Sequence, residues 1–218
     1  MIIPINHPIA QIKLSILRDK NTNPDLFRKS LEELSYIFVF YCFEKAELET
    51  LTIQTPLDET IGFKLKEKYI IIPILRAGLG LLPAFTKLIP DIIVGIIGLS
   101  RDENTLEPTQ YYTNLPSNLS DFVAIILEPM IATGGSIRKA IEILIQRKAQ
   151  KIKVCSIIAY EKSIIELNEK FPFVEFFVLS IDKSLNSRGY IVPGLGDAGD
   201  RTFGTLINSQ VYIKGNQY

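Results

Sequence analysis

Five strand-length runs of the chain are predominantly apolar without alternating, and this pattern constrains the fold more than any other feature. They lie at 69–74 (YIIIPI), 92–98 (IIVGIIG), 122–127 (FVAIIL), 152–159 (IKVCSIIA) and 174–180 (VEFFVLS). A strand sends successive side chains to opposite faces, so a run that is apolar at every position must be covered on both sides. Segments with helical periodicity separate the runs, at 79–88, 136–147 and 162–170. Strands apolar on both faces, alternating with amphipathic helices, predict an α/β fold: a parallel sheet flanked by helices, built from right-handed crossovers. Two more helices precede the first run. One is expected over 8–19. The other starts at Asn23-Pro24, with Asn as N-cap and Pro in the first helical position, and reaches about residue 46. The polar stretch 47–68 that follows suggests one short strand, near 51–55.

Composition narrows the functional classes. The 218 residues carry 24 Lys+Arg against 24 Asp+Glu, which argues against a nucleic-acid binder working through a global positive field. A hydrophobic content of 47% with 22% charged residues is ordinary for a globular chain and excludes intrinsic disorder. One His and two Cys are too few for a structural zinc site. Cys42 and Cys155 lie in apolar runs and are expected as buried, reduced thiols. No apolar run approaches the ~18 residues of a membrane span. The N-terminal segment is broken by Pro4, Asn6, His7 and Pro8 and does not read as a signal peptide. A cytoplasmic protein is expected; richness in Ile and Lys leaves a plastid stroma as the alternative. No repeat or linker divides the chain, so residues 1–218 are read as one domain with an N-terminal helical extension.

The chemistry is concentrated in loops at strand ends. Residues 128–136 follow an apolar strand and open a helix. Thr133, Gly134, Gly135 and Ser136 there offer backbone N–H groups and hydroxyls at a helix N-terminus, a phosphate cradle by geometry and dipole. No Gly-Lys-Ser/Thr is present, so this is not a Walker A loop. An N-cap with turn glycines is the plain alternative. A second segment, PILRAGLG at 73–80, places Arg76 where an anion could reach it. A third, RDENTLEP at 101–108, lies in a long connection and reads as a lid or a surface loop. The fourth, GYIVPGLGDAGD at 189–200, contains a literal G-x-G-x-x-G. The dinucleotide reading fails because only a short tail without a convincing helix follows. A Gly-rich loop presenting backbone groups to a small flat polar ligand, with Asp197 or Asp200 for charge, is the better use. His7 is read as structural; no triad can be built around it.

These four segments, in this order and spacing, resemble the uracil phosphoribosyltransferase family. The resemblance runs from His7-Pro8, Lys13-Leu14 and Leu17-Arg18 to Phe203-Gly204-Thr205, with Asp182, Leu185 and Asn186 matching as well. It implies the type I phosphoribosyltransferase fold with a C-terminal hood over the base. It implies UMP and pyrophosphate made from uracil and phosphoribosyl pyrophosphate (PRPP) with Mg²⁺, the metal held mainly through PRPP. By the same resemblance PRPP binds Arg76, Arg101, Glu128, Pro129, Met130, Ile131, Ala132, Thr133, Gly134, Gly135, Ser136 and Asp197. The 5′-phosphate lies on 132–136 and the ribose hydroxyls by 128–129. Uracil is placed at Ile191, Gly196, Asp197 and Ala198. Arg76, Arg101 and Asp197 form the catalytic set. A homodimer or larger homo-oligomer, and activation by GTP, belong to the same implied picture; nucleic acid and membrane partners do not.

The chain departs from the family's pattern at Glu128, where Asp is usual. The extra methylene shifts a carboxylate by roughly 1 Å, and misplacement on that scale can cost ~100-fold in rate. Residues 40–46, with an apparent insertion, and Tyr160-Glu161-Lys162, without the usual Gly, also depart. Three alternatives stay open: a homologue with reduced or lost activity, a regulatory RNA-binding protein on the same fold, and a phosphoribosyltransferase for a purine base.

Overall fold

The computed structural model of the chain describes residues 1–101 and 108–205. A short strand β1 (Ile2–Pro4) leads into helices α1 (Pro8–Arg18) and α2 (Pro24–Phe43). His7 caps α1 through Nδ1, which accepts the Ile9 N–H at 3.2 Å, and Asn23 caps α2 by accepting the Leu26 N–H at 2.9 Å. The polar stretch is a hairpin of two strands, β2 (Leu48–Gln54) and β3 (Glu59–Leu65), rather than one short strand. Next come β4 (Lys68–Leu75), a 3-10 turn (Ala77–Leu81), α3 (Leu82–Leu88), β5 (Ile93–Val94) and β6 (Ile96–Arg101). The expected single strand at 92–98 is split: β5 pairs with β4 at Ile70 and Ile71, and β6 at Ile74 and Leu75. The expected helix at 79–88 begins late, where Pro83 suits the first turn of α3.

The long connection after β6 holds a strand, β7 (Pro108–Asn114), which runs antiparallel to β6. Residues 102–107, most of the expected lid, lie outside the described residues. The chain continues through β8 (Phe122–Leu127), β9 (Met130–Ile131), α4 (Gly135–Gln146), β10 (Lys151–Tyr160), α5 (Glu161–Lys170) and β11 (Val174–Asp182). The C-terminal part contains β12 (Ser184–Leu185), β13 (Ile191–Val192) and a six-residue helix α6 (Ala198–Phe203), where no helix was expected. The helix starts because Asp197 accepts the Asp200 N–H at 2.9 Å.

The sheet order is β1-β11-β10-β8-β4-β6-β7, parallel except for β7 at one edge. Alternation along each strand divides the core into two layers. Ile71, Ile125, Leu127 and Phe177 pack with Leu14, Phe27, Leu31, Phe38 and Phe85 from α1, α2 and α3. Ile70, Ile72, Ala124 and Ile126 pack with Ile137, Ile141, Leu144 and Leu167 from α4 and α5. Each fully buried side chain of this kind contributes ~1.5–3 kcal/mol, which is why strands apolar at every position are stable only between two helical layers.

β4 and β8 are neighbours whose connections leave in opposite directions. β4 leads through α3 to β6 on one side, and β8 through α4 to β10 on the other. Such a switch point leaves a crevice beyond the carboxyl ends of the two strands, the usual place for a ligand in an open α/β sheet. The segments at 73–80 and 128–136 both start there.

Candidate active site

The turn from β8 into α4 is a cradle of backbone donors. Gly134 is the N-cap of α4 at φ 79°, ψ −5°, a left-handed conformation, and supplies no side chain to satisfy the first turn. A Cβ at that position would be strained by the positive φ and tight against Leu167 Cδ1, 3.3 Å away. The open N–H groups and the helix dipole therefore point into the crevice. Residues 130–136 of this turn, with Glu128, line one wall of a cavity of about 690 Å³. The other wall is the C-terminal segment: Ser187, Arg188, Gly189, Tyr190, Ile191 and Asp197.

Glu128 N–H donates to the Cys155 carbonyl at 3.1 Å, which ties the start of the cradle to β10. The residue opens partly to the cavity, but its carboxyl is packed closely enough that burial pushes its pKa up to about 8. The Met130 N–H works against this rise and the Asp197 charge adds to it. Near neutral pH Glu128 is thus largely protonated, a donor as well as an acceptor.

Arg76 stands just after β4, following a cis Leu75–Arg76 peptide. Its guanidinium donates to Asp200 Oδ1 at 2.8 Å and Thr205 Oγ1 at 3.0 Å, and lies 5.9 Å from the centre of the Phe203 ring. These contacts hold it against α6, and it does not line the cavity. Arg101 ends β6; its side chain lies outside the described residues. Pro129 is buried in the turn, Ala198 is buried at the start of α6, and Gly196 is exposed; none of the three faces the cavity. The structure thus brings together Glu128, residues 130–136, Ile191 and Asp197, but not Arg76, Pro129, Gly196 or Ala198.

Two arginines clamp the hood to the N-terminal helices. Arg18, at the end of α1, pairs with both Asp182 oxygens at 2.8 and 2.6 Å and donates to Gly194 O at 2.8 Å. Asp182 also accepts the Gly194 N–H at 2.9 Å. Burial alone would raise this carboxyl, but the Arg18 and Gly194 donors outweigh it and hold its pKa below the usual range. Arg201 is buried, stacked 4.4 Å from the Phe27 ring centre. It donates to the carbonyls of Leu17, Leu195 (2.7 Å) and Asp19 (2.6 Å). Gly194 sits at φ 61°, and a Cβ there would lie 2.0 Å from the Ile191 carbonyl oxygen. The hood loop is thus held rigidly over the crevice.

Sequence reasoning did not single out Ser187 or Arg188, which precede the Gly-rich segment and carry no periodicity or glycine signal. Nor did it give roles to Arg18, Asp182 and Arg201, whose partners are remote in sequence. It read Cys42 and Cys155 as two separate buried thiols. Both are buried, and their Sγ atoms lie 3.2 Å apart, joining α2 to β10.

Among the described residues no group of three or more His, Cys, Asp or Glu side chains could hold a metal ion. Asp197 is the hard oxygen donor that would suit a divalent cation keeping most of its waters, rather than one held in a protein cage. No helix among the described residues is long and apolar enough to cross a membrane.

The geometry agrees with known proteins. The sequence profile described as "Uracil phosphoribosyltransferase" matches residues 3–205. A uracil phosphoribosyltransferase of Campylobacter fetus subsp. fetus is 44% identical over 202 residues, 93% of this chain and 97% of that protein. Another, from Malacoplasma penetrans, is 42% identical over 205 residues, 94% of this chain and all of that one. A solved structure from Aquifex aeolicus superimposes with a TM-score of 0.90 at 35% identity, over 95% of this chain and the whole of the other. A profile match along nearly the full length, with relatives this similar and of the same extent, places the chain in the uracil phosphoribosyltransferase family.

Proposed function

We propose that the protein transfers the phosphoribosyl group of PRPP to uracil, yielding UMP and pyrophosphate. The observation that carries this reading is one cavity walled by a helix N-terminus on one side and a Gly-rich hood on the other. A phosphorylated sugar fits the first wall and a flat base the second.

Substitution at the anomeric carbon passes through a cation-like sugar. It needs a fixed ribose, a neutralised leaving group and an aligned nucleophilic nitrogen, but no protein nucleophile; orientation of this kind is worth up to ~7–11 kcal/mol in ideal systems. In this proposal residues 132–136 hold the 5′-phosphate. Glu128, with Pro129 fixing the turn, meets the ribose hydroxyls. Ile191 and Asp197, which line the cavity, orient uracil through backbone and carboxylate groups, and Gly196 and Ala198, on either side of Asp197, are the further uracil-binding positions proposed, reached only if the base seats deeper in the hood than the open cavity. Met130 and Ile131 shape the floor. Arg76 and Arg101 neutralise the pyrophosphate. Arg76 exchanges Asp200 and Thr205 for phosphate oxygens to do so. Its side chain is 51% exposed, and such pairs are worth roughly 0–1 kcal/mol, less than the ~1.5–3 kcal/mol of a charge-assisted bond to phosphate. Mg²⁺ would enter on PRPP and supply charge neutralisation at the leaving group.

The proposal extends to the chain's organisation: residues 1–218 act as one domain in a cytoplasmic or stromal homo-oligomer. The exposed apolar residues of the β2–β3 hairpin, Leu57, Ile61 and Phe63, support a second copy as the partner. GTP is the proposed activator, read by adding it to the same assay.

The test is UMP formation from labelled uracil and PRPP with Mg²⁺, for the wild type and Glu128→Asp. Turnover by the wild type supports the reading. Turnover by the Asp variant alone makes the chain a repurposed homologue, and silence from both, with no PRPP binding, overturns the reading.

A further inference from the structure

Arg188 is not accounted for by any role assigned above. It sits at the tip of a tightly built turn in the hood. Asn186 Oδ1 accepts the N–H groups of Arg188 at 2.9 Å and Tyr190 at 3.0 Å. Asn186 N–H donates to Tyr190 O and Gly189 N–H to Asn186 O, both at 2.9 Å. Four hydrogen bonds within five residues fix where the Arg188 side chain leaves the backbone. That side chain is exposed and lines the cavity, and among the described residues its guanidinium has neither an ion pair nor a hydrogen bond. It is also the only cationic side chain among the described residues lining that cavity.

The charge balance of the cavity gives this cation a purpose. The N-terminus of α4 offers roughly half a positive charge. A phosphate monoester carries between ~1.5 and 2 negative charges near pH 7, and the wall already includes the carboxyl group of Asp197. The cradle alone therefore leaves more than one negative charge uncompensated. Arg76 is turned away toward Asp200 and Thr205.

Resting on the functional reading above, we infer that Arg188 binds the 5′-phosphate of the substrate from the hood side, opposite the α4 N-terminus, so that the two walls share one anion. It is a phosphate-binding residue, placed by Asn186, that closes the charge balance of the cradle. PRPP is phosphorylated at two positions, the 5′-phosphate and the 1-diphosphate, and UMP and pyrophosphate tell them apart, since UMP keeps only the 5′-phosphate.

The experiment compares wild type, Arg188→Gln and Arg188→Lys by calorimetric titration with UMP, product inhibition by pyrophosphate, and steady-state kinetics. In Arg188→Gln, UMP affinity falls about tenfold, as expected for loss of one charged hydrogen-bonding partner, and KM for PRPP rises by a similar factor. Arg188→Lys is intermediate, keeping the charge but not the planar fork. The loss sits in KM for PRPP rather than in kcat, and KM for uracil and inhibition by pyrophosphate do not move. Equal UMP affinity in wild type and Arg188→Gln overturns the inference, as does weakened pyrophosphate inhibition with UMP affinity intact. A wild type that forms no UMP overturns the functional reading and this inference with it. A working wild type matched by Arg188→Gln overturns only the inference.

Discussion

Glu128 is the residue where chemistry and sequence diverge most. Its carboxyl is pushed to about 8 by burial first and by Asp197 second, from an ordinary 4.5. The folded state therefore binds more protons than the unfolded chain between those values. Stability falls as pH rises from near 4.5 through 8, and the penalty is complete above that. Glu128→Gln removes the titration, so its melting temperature is expected to gain on the wild type between pH 6 and pH 9. The same ionisation places a second negative charge beside a polyanionic substrate. KM for PRPP is expected to rise between pH 7 and 9 in the wild type, and Glu128→Gln to flatten that limb in a pH series of initial rates. The position of Glu128 at a strand's carboxyl end was legible in the sequence. Its protonation was not, because the packing around it and the facing Asp197 come from elsewhere in the chain.

At the scale of elements, the hood depends on two devices. The first is Arg18 with Asp182, which are 23% and 5% exposed as side chains. Removing one partner of a pair this buried strands the other, at a cost of ~3–5 kcal/mol. Arg18→Met is expected to lose stability on that order in urea unfolding and to raise KM for uracil. Replacing both partners, as Arg18→Met with Asp182→Leu, is expected to recover much of the stability but not the KM. The second device is Gly194, where any Cβ meets the Ile191 carbonyl. Gly194→Ala is expected to keep the circular dichroism of the sheet while UMP formation drops at least tenfold. The Gly-rich segment announced a loop of unusual conformation. The helix it caps, α6, was missed because six residues are too few to show a period.

For the whole molecule, the β2–β3 hairpin meets the core layers only at its base, through Leu65. Every residue of β2 is exposed, and Ile61 and Phe63 of β3 are about two-thirds exposed. Replacing Leu57, Ile61 and Phe63 together with Ser is expected to leave the melting temperature of the isolated subunit nearly unchanged and to reduce the proposed homo-oligomer to monomer in light scattering. The two-layer core has the opposite dependence: it rests on residues distributed over almost the whole described chain. Its general plan was legible, since every strand read from the sequence carries apolar residues at both parities, as in Ile70 and Ile71. The edge strand β7 was not, because an exposed antiparallel strand needs no apolar run to form.

The sequence by itself determined the α/β class, the order of the main strands and helices, the cap at Asn23, and the segments that would carry chemistry. These are local properties: strand and helix period, the N-cap hydrogen bond, and glycine where φ is positive. Only the tertiary structure decided which of those segments share a cavity. It placed Arg76 against Asp200 and away from the cradle. It brought Cys42 to Cys155 and Arg18 to Asp182 across long stretches of chain, and it set Arg188 on the lining of the same cavity as the α4 N-terminus. Such pairings depend on how layers stack and strands order. No local pattern records that, because the energies involved appear only when distant residues desolvate one another.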